Sequence, residues 1–195
     1  CRGRILNVTE EDRGQYDEVR EVFWCSGAAL CIRRESYLQA GGLDERFFAH
    51  MEEIDLCWRL RSRGYRIACV PQSHVYHVGG ATLKKENPQK TYLNFRNNLL
   101  MIYKNAPDCQ LKKIMLFRKV FDNVAALKVL ASGDYAAFKA VRKARRDFKA
   151  MRAGYDKARA KNMKLAVTTR IPEVLESSIL YKYYLGFKHT YSSLK

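Results

Sequence analysis

The sequence predicts an α/β segment over residues 1–87 followed by a mainly α-helical, basic extension over residues 88–195. Three observations predict it. Short apolar, β-leaning runs broken by glycines fill the first stretch, whereas long helical periods fill the second. Charge divides at the same place. Residues 1–87 hold 13 basic and 13 acidic residues, and residues 88–195 hold the other 23 basic and 7 acidic ones, so the whole excess of +16 lies in the second stretch. Such asymmetry predicts two parts with different partners. With 47% apolar residues the chain can build a packed core, which excludes wholesale disorder.

In the first stretch, residues 4–8 read as a short strand and residues 9–20 as a polar loop. Residues 21–33 are apolar and β-leaning around Gly27. Arg34 to Ala40 reads as a helix stopped by Gly41-Gly42, and Asp44 as the cap of a following turn. Glu52 to Arg63 reads as an amphipathic helix ended by Gly64. Tyr65 to Val70 and Val75 to Val78 read as extended pieces.

In the second stretch, helices are expected over Thr91–Asn105, Leu111–Ala131 and Tyr135–Lys161, the last capped by Asp134. Ala137, Val141, Ala144, Phe148, Met151, Tyr155 and Ala158 form a heptad-like seam, expected to pack on the preceding helix. Arg142, Lys143, Arg145, Arg146 and Lys149 are expected to stay exposed. Pro172 to Lys195 is rich in aromatics. The six cysteines form no CxxC pair and sit mostly in apolar runs, which predicts reduced, buried thiols of a cytosolic protein over a disulfide framework. No apolar run approaches the roughly 20 residues of a membrane span. Residue 1 is not Met, so it is not expected to be the natural beginning.

The chemistry concentrates between Trp24 and Thr82. Glu52, Glu53 and Asp55 lie at a helix start, where the partial positive charge favours carboxylates. On their own they would be no more than a cap. Phe47, Phe48 and Met51 just before them predict a sheltered cleft, in which a carboxylate gains basicity and can act as a general base. His74 and His77 are three apart on an extended segment and point to opposite faces, so they do not make a two-His metal site.

The order of these features resembles the acceptor-side half of family 2 inverting glycosyltransferases with the GT-A fold, and most closely the rhamnosyltransferase-like members that build bacterial surface polysaccharides. The resemblance covers about residues 20–83. It is carried by Gly27-Ala28, Arg33, Gly41 to Glu45, Glu52-Glu53, Asp55 to Arg59, Gly64-Tyr65 and Tyr76-His77. Asn94 to Asn98 looks like the segment that follows the catalytic domain in these enzymes. The resemblance implies half of a GT-A-like mixed sheet with helices, and inverting transfer from a nucleotide sugar to a saccharide or lipid-linked saccharide. Glu53 would be the base, with Glu52 and Asp55 beside it. Of the two roles for Asp55, orienting the helix start or Arg59 ranks ahead of proton transfer. Trp24, Gly27, Trp58 and Arg59 would contact substrate, the tryptophans alternatively serving the core and Arg59 alternatively pairing with Asp55. A divalent cation, Mg or Mn, would accompany the complete enzyme, with His77 in its shell or against the diphosphate.

Two departures stand out. The family's acidic pair is usually Glu-Asp, whereas Glu53 is one methylene longer. No Asp-x-Asp occurs in the chain, and the nucleotide-binding half is expected to precede it, so the isolated chain is expected to be inactive.

For the basic stretch three explanations compete: a solvated helical face, attachment to an anionic membrane surface, and nucleic-acid binding. Membrane attachment ranks first, because it suits a lipid-linked acceptor at the cytoplasmic leaflet. The alternative function is a non-catalytic basic module binding membrane or nucleic acid. The expected location is cytoplasmic, at the inner face of the plasma membrane.

Overall fold

The computed structural model describes residues 4–5, 8–77, 87–175 and 177–194. Its strands are two residues long. β1 (Arg4–Ile5) pairs antiparallel with β2 (Val8–Thr9), and β3 (Arg20–Glu21) with β4 (Ala68–Cys69). The single strand expected over 4–8 is therefore a tight hairpin, with residues 6–7 outside the described residues. Of Tyr65 to Val70 only the centre pairs, extended by the Val22 amide donating to the Ile67 carbonyl at 2.9 Å. The β-leaning run around Gly27 instead forms a 3₁₀ turn, Gly27–Ala29. Gly-Ala-Ala carries no β-branched residue, and the Ser26 hydroxyl caps the turn by accepting the Ala28 amide. Val75, Tyr76 and His77 are exposed and irregular; Val78, Gly79 and Gly80 lie outside the described residues.

The helices follow local chemistry closely. α1 (Arg34–Ala40) stops where Gly41 adopts φ +87° and its amide returns to the last turn. α2 (Glu52–Ser62) gives way to Gly64 at φ +85°. α3 (Pro88–Asn105) starts a turn earlier than expected, because Asn87 caps the Gln89 amide and Pro88 occupies a first-turn position that needs no N–H. α4 (Asp108–Ala131) follows Pro107 directly. α5 (Tyr135–Met151) is capped by Asp134, which accepts the Ala137 amide at 2.8 Å. The long helix expected to reach Lys161 is interrupted: Arg152–Tyr155 tighten into 3₁₀ turns before α6 (Asp156–Leu165) resumes. Gly154 sits in the break, where a helical Gly costs about 1 kcal/mol against Ala. A short α7 (Ile179–Tyr184), capped by Ser178, lies near the end.

The seam on α5 is buried as far as Phe148 and again at Tyr155, and it packs chiefly on α3, not on the preceding helix. Phe148 and Tyr155 join Leu99, Leu100 and Ile102, while Ala140 and Ala144 let Tyr92 and Leu93 approach closely. α4 takes the neighbouring side of α5. Phe47, with no exposed surface, plugs the same core from the first stretch and contributes about 2–3 kcal/mol by burial. The two stretches thus share one interior across residues 87 and 88.

Two surface expectations need correction. Arg145 is turned inward to Asp122 at 2.6 Å, while Arg142, Lys143, Arg146 and Lys149 are exposed. Asp122 is 1% exposed and also meets Arg118. Among the described cysteines only Cys57 is buried; Cys31 and Cys109 are exposed, lying on an irregular segment and the first turn of α4.

Candidate functional site

The acidic pair sits at the end of an unusual loop. Phe48, His50 and Met51 have left-handed backbones, with φ of +64°, +70° and +74°, immediately before Glu52 opens α2. Each such conformation costs a non-glycine residue about 1–3 kcal/mol, so the surroundings must enforce it. α3 does so. Asn97, fully buried, places its Nδ2 at 2.9 Å from the Phe47 carbonyl and 2.8 Å from those of Ala49 and His50. The Arg96 guanidinium donates to the carbonyls of Arg46 and Phe47. Asn97→Ala is expected to lower stability by about 2–3 kcal/mol, since it strands buried carbonyls. A urea titration with unchanged slope would read this directly, and a loss under about 0.5 kcal/mol would contradict it.

Glu53 is half-buried against the Gly27 turn; a Cβ added at Gly27 would lie 3.8 Å from the Glu53 Cβ. Burial pushes the Glu53 carboxyl above its ordinary range, and the neighbouring Glu52 charge adds to this. Among the described residues, four polar atoms of this region are buried without a hydrogen-bond partner: His50 Nε2, Glu52 Oε2, Glu53 Oε2 and Asn98 Oδ1. Asn98 itself reaches Met51 Sδ at 3.8 Å. Buried polar atoms are nearly always paired, so four orphans about one strained loop mark a place that can engage a polar ligand. Cys57 follows Glu53 by one turn, and Cys25 shares a hydrogen bond with it. That bond and burial hold the Cys25 thiol above its ordinary range.

The other expected site residues separate from this group. Asp55 has no exposed surface and accepts from Arg59 at 2.8 Å, Lys104 at 2.9 Å and Asn105 at 2.7 Å. It is saturated by donors and drops out as a proton acceptor. Arg59, 3% exposed, also donates to the carbonyls of Ala40 and Gly42. It is spent inside the protein and fastens the glycine turn to α2 instead of reaching a diphosphate. Gly42 is required there: φ is +64°, and a Cβ would stand 3.2 Å from the Tyr37 ring. Trp58 is partly buried in the core, edge-on to Phe23 with centroids 5.7 Å apart, whereas Trp24 is 43% exposed. His77 is exposed, and no group of three His, Cys, Asp or Glu able to hold a metal occurs among the described residues. These residues do not fit a cation site.

Sequence reasoning missed Asn97 and Lys104 as organisers. Asn97 lies within the Asn94 to Asn98 segment already singled out. The signal for Lys104 is its place on the buried stripe of Leu93, Asn97, Leu100 and Met101. Lys104 also bonds Asp44 at 2.9 Å, with Arg46 on the same carboxylate. Burial alone would raise the Asp44 carboxyl. The hydrogen bonds from Arg46 and Lys104 outweigh it and hold the group well below its ordinary 3.8. A depressed folded value means that Asp44 stabilises fully above about pH 4, and that this contribution fades as pH falls further. Acid denaturation followed by circular dichroism should show Asp44→Asn losing stability at neutral pH and flattening the decline below pH 4; a variant that declines in parallel would contradict it.

No family model and no solved structure matches the chain. Curated relatives do match over part of it. The N-acetylglucosaminyl-diphospho-decaprenol L-rhamnosyltransferase of Mycobacterium tuberculosis is 45% identical over 58 residues, 30% of this chain and 19% of the relative. The rhamnosyltransferase WbbL of Escherichia coli is 38% identical over 56 residues, 29% of this chain and 21% of the relative. The low-salt glycan biosynthesis hexosyltransferase Agl10 of Haloferax volcanii extends the likeness, at 28% identity over 88 residues, 45% of this chain and 29% of the relative. The chain spans about a fifth to three-tenths of the length of these relatives. All three of these relatives are named as glycosyl-transferring enzymes, two as rhamnosyltransferases and one as a hexosyltransferase. Among the described residues no helix is long and apolar enough to cross a membrane.

Proposed function

We propose that this chain is the acceptor-side portion of an inverting, GT-A-type family 2 glycosyltransferase acting in cell-surface polysaccharide synthesis. The observation that carries the reading is Glu53: a half-buried carboxylate with an unpartnered oxygen, held at a strained helix start. In the reaction an acceptor hydroxyl attacks the anomeric carbon of a nucleotide sugar. The new C–O bond forms as the bond to the diphosphate breaks, and the hydroxyl proton passes to Glu53. Attack opposite the leaving group inverts the anomeric centre. The raised affinity of Glu53 for protons suits a base working near neutral pH. Burial sets most of that affinity and Glu52 adds to it.

Two of the relatives are named as rhamnosyltransferases, one of them acting on a diphospho-decaprenol-linked N-acetylglucosamine. A nucleotide-linked deoxyhexose and a polyprenyl-diphosphate-linked saccharide are therefore the first substrates to try. A divalent cation, Mg or Mn, would neutralise the diphosphate when bound. The described residues offer no set for it, and Glu53 needs none to accept a proton.

The test uses cells expressing the full reading frame that encodes this chain. Extracts are supplied with labelled nucleotide-diphosphate sugars and a polyprenyl-linked saccharide, and the product's anomeric configuration is read by NMR. Transfer with inversion is expected. Retained configuration, or no transfer from any nucleotide sugar, would sink the proposal.

A further inference from the structure

Among the described residues one face of α4 is unpartnered. The helix rests on α5 through a stripe that buries Asp122 and Ala126. On the opposite side Leu116, Phe117, Val120, Phe121, Val124 and Leu127 recur at steps of three and four, each 39–64% exposed. Phe117 and Phe121 stack on each other, so the ridge is continuous. Contiguous exposed apolar surface of this kind marks an interaction face. It is about 17 Å long at 1.5 Å per residue, too short to span a bilayer but suited to lie along one.

The charge around the ridge is of one sign. Lys112 and Lys113 stand before it, Lys119 beside it and Lys128 after it, all exposed. The only acids of α4 are engaged elsewhere, Asp108 with Arg159 and Asp122 with Arg118 and Arg145. Residues 108–161 carry 15 Lys and Arg against 5 Asp and Glu.

We infer that the α4 ridge is a membrane-docking face that lays its apolar side chains into an anionic lipid surface, with the surrounding lysines on the headgroups. The lysine stems can follow the apolar side chains inward while their ammonium groups remain at the phosphates. Each cation near such a surface adds to the attraction, and salt screens it. A second copy is a poorer occupant. Antiparallel pairing of two ridges about their centre sets Lys113 of one copy beside Lys128 of the other, so positive charge would face positive charge. Nucleic acid is poorer still, since the aliphatic Leu116, Val120, Val124 and Leu127 neither stack on bases nor bind phosphate. The inference stands on the ridge alone and does not rest on the transferase reading.

The 195-residue chain is sedimented with vesicles of phosphatidylcholine alone, or mixed with phosphatidylglycerol. Binding to the mixed vesicles only is expected. Leu116→Ser, Val120→Ser and Val124→Ser together should weaken it about tenfold or more while leaving the helical circular dichroism and melting temperature intact, because these positions are exposed. Phe117→Trp should shift its emission to the blue on mixed vesicles. The inference is overturned by each of three results. The triple variant binds as well as the parent, which would move attachment to the aromatic end of the chain. The parent ignores mixed vesicles. Or the parent is a dimer that the triple variant dissociates, which would make a second copy the occupant. A DNA duplex that strips the parent from vesicles, and binds the triple variant equally, would favour the nucleic-acid alternative instead.

Discussion

Glu53→Gln, introduced into the full reading frame, should lower turnover by about 10²–10⁴-fold while nucleotide-sugar affinity stays nearly unchanged. The amide keeps the shape of the carboxylate but cannot take the acceptor's proton. Turnover is also expected to fall on the acid side as pH drops through the raised Glu53 value, because a protonated carboxyl is no base. Burial sets most of that elevation and Glu52 adds to it, so Glu52→Gln should move the acid limb to lower pH with a much smaller effect at the optimum. A full pH–rate profile for both variants separates the roles. Near-normal turnover in Glu53→Gln, with a large loss in Glu52→Gln, would transfer the base to Glu52. Near-normal turnover in both would reduce the pair to a helix cap.

What the sequence made legible was local. Gly41 ends α1, Gly64 follows α2 and Asp134 caps α5, because each acts on backbone within a turn of itself. The Asp55–Arg59 pair was legible for the same reason, being one turn apart on α2. The strands were harder to read. β3 and β4 lie 47 residues apart and pair over two residues, and the apolar run between them had a local alternative in the Ser26 cap. The strained loop was not legible at all. Phe48 to Met51 contains no glycine, and nothing in those four residues announces a left-handed backbone. Its cause lies in Asn97, about fifty residues on, which satisfies three carbonyls that no regular structure would leave together. The seam of α5 was readable but its partner was not. Periodicity says which face is apolar, and the choice of α3 over α4 depends on which of them offers complementary bulk to Ala140 and Ala144.

Lys104→Met should destabilise the fold by about 3–5 kcal/mol at neutral pH, the largest loss expected of any single change in the described interior. Lys104 is 5% exposed and, among the described residues, is the only group that bridges Asp44 and Asp55, its ammonium 2.9 Å from each. Asp55 keeps Arg59 and Asn105, and Asp44 keeps Arg46. Even so, the variant leaves two carboxylates sharing a dry site with one cation fewer, and methionine fills the space without a donor. Lys104→Arg is not expected to rescue the loss, since the longer planar fork cannot stand between two carboxylates built around a point charge, over the face of Phe47. Lys104→Met combined with Asp44→Asn should recover part of it, because one of the unpaired charges is gone. The deficit should also shrink below about pH 4, as Asp44 in the variant takes up a proton that Lys104 and Arg46 otherwise keep away. Urea midpoints for the parent, the single variants and the double variant decide the matter. A loss below about 1 kcal/mol in Lys104→Met, or strict additivity with Asp44→Asn, would mean that the bridge does not couple the glycine turn to α2.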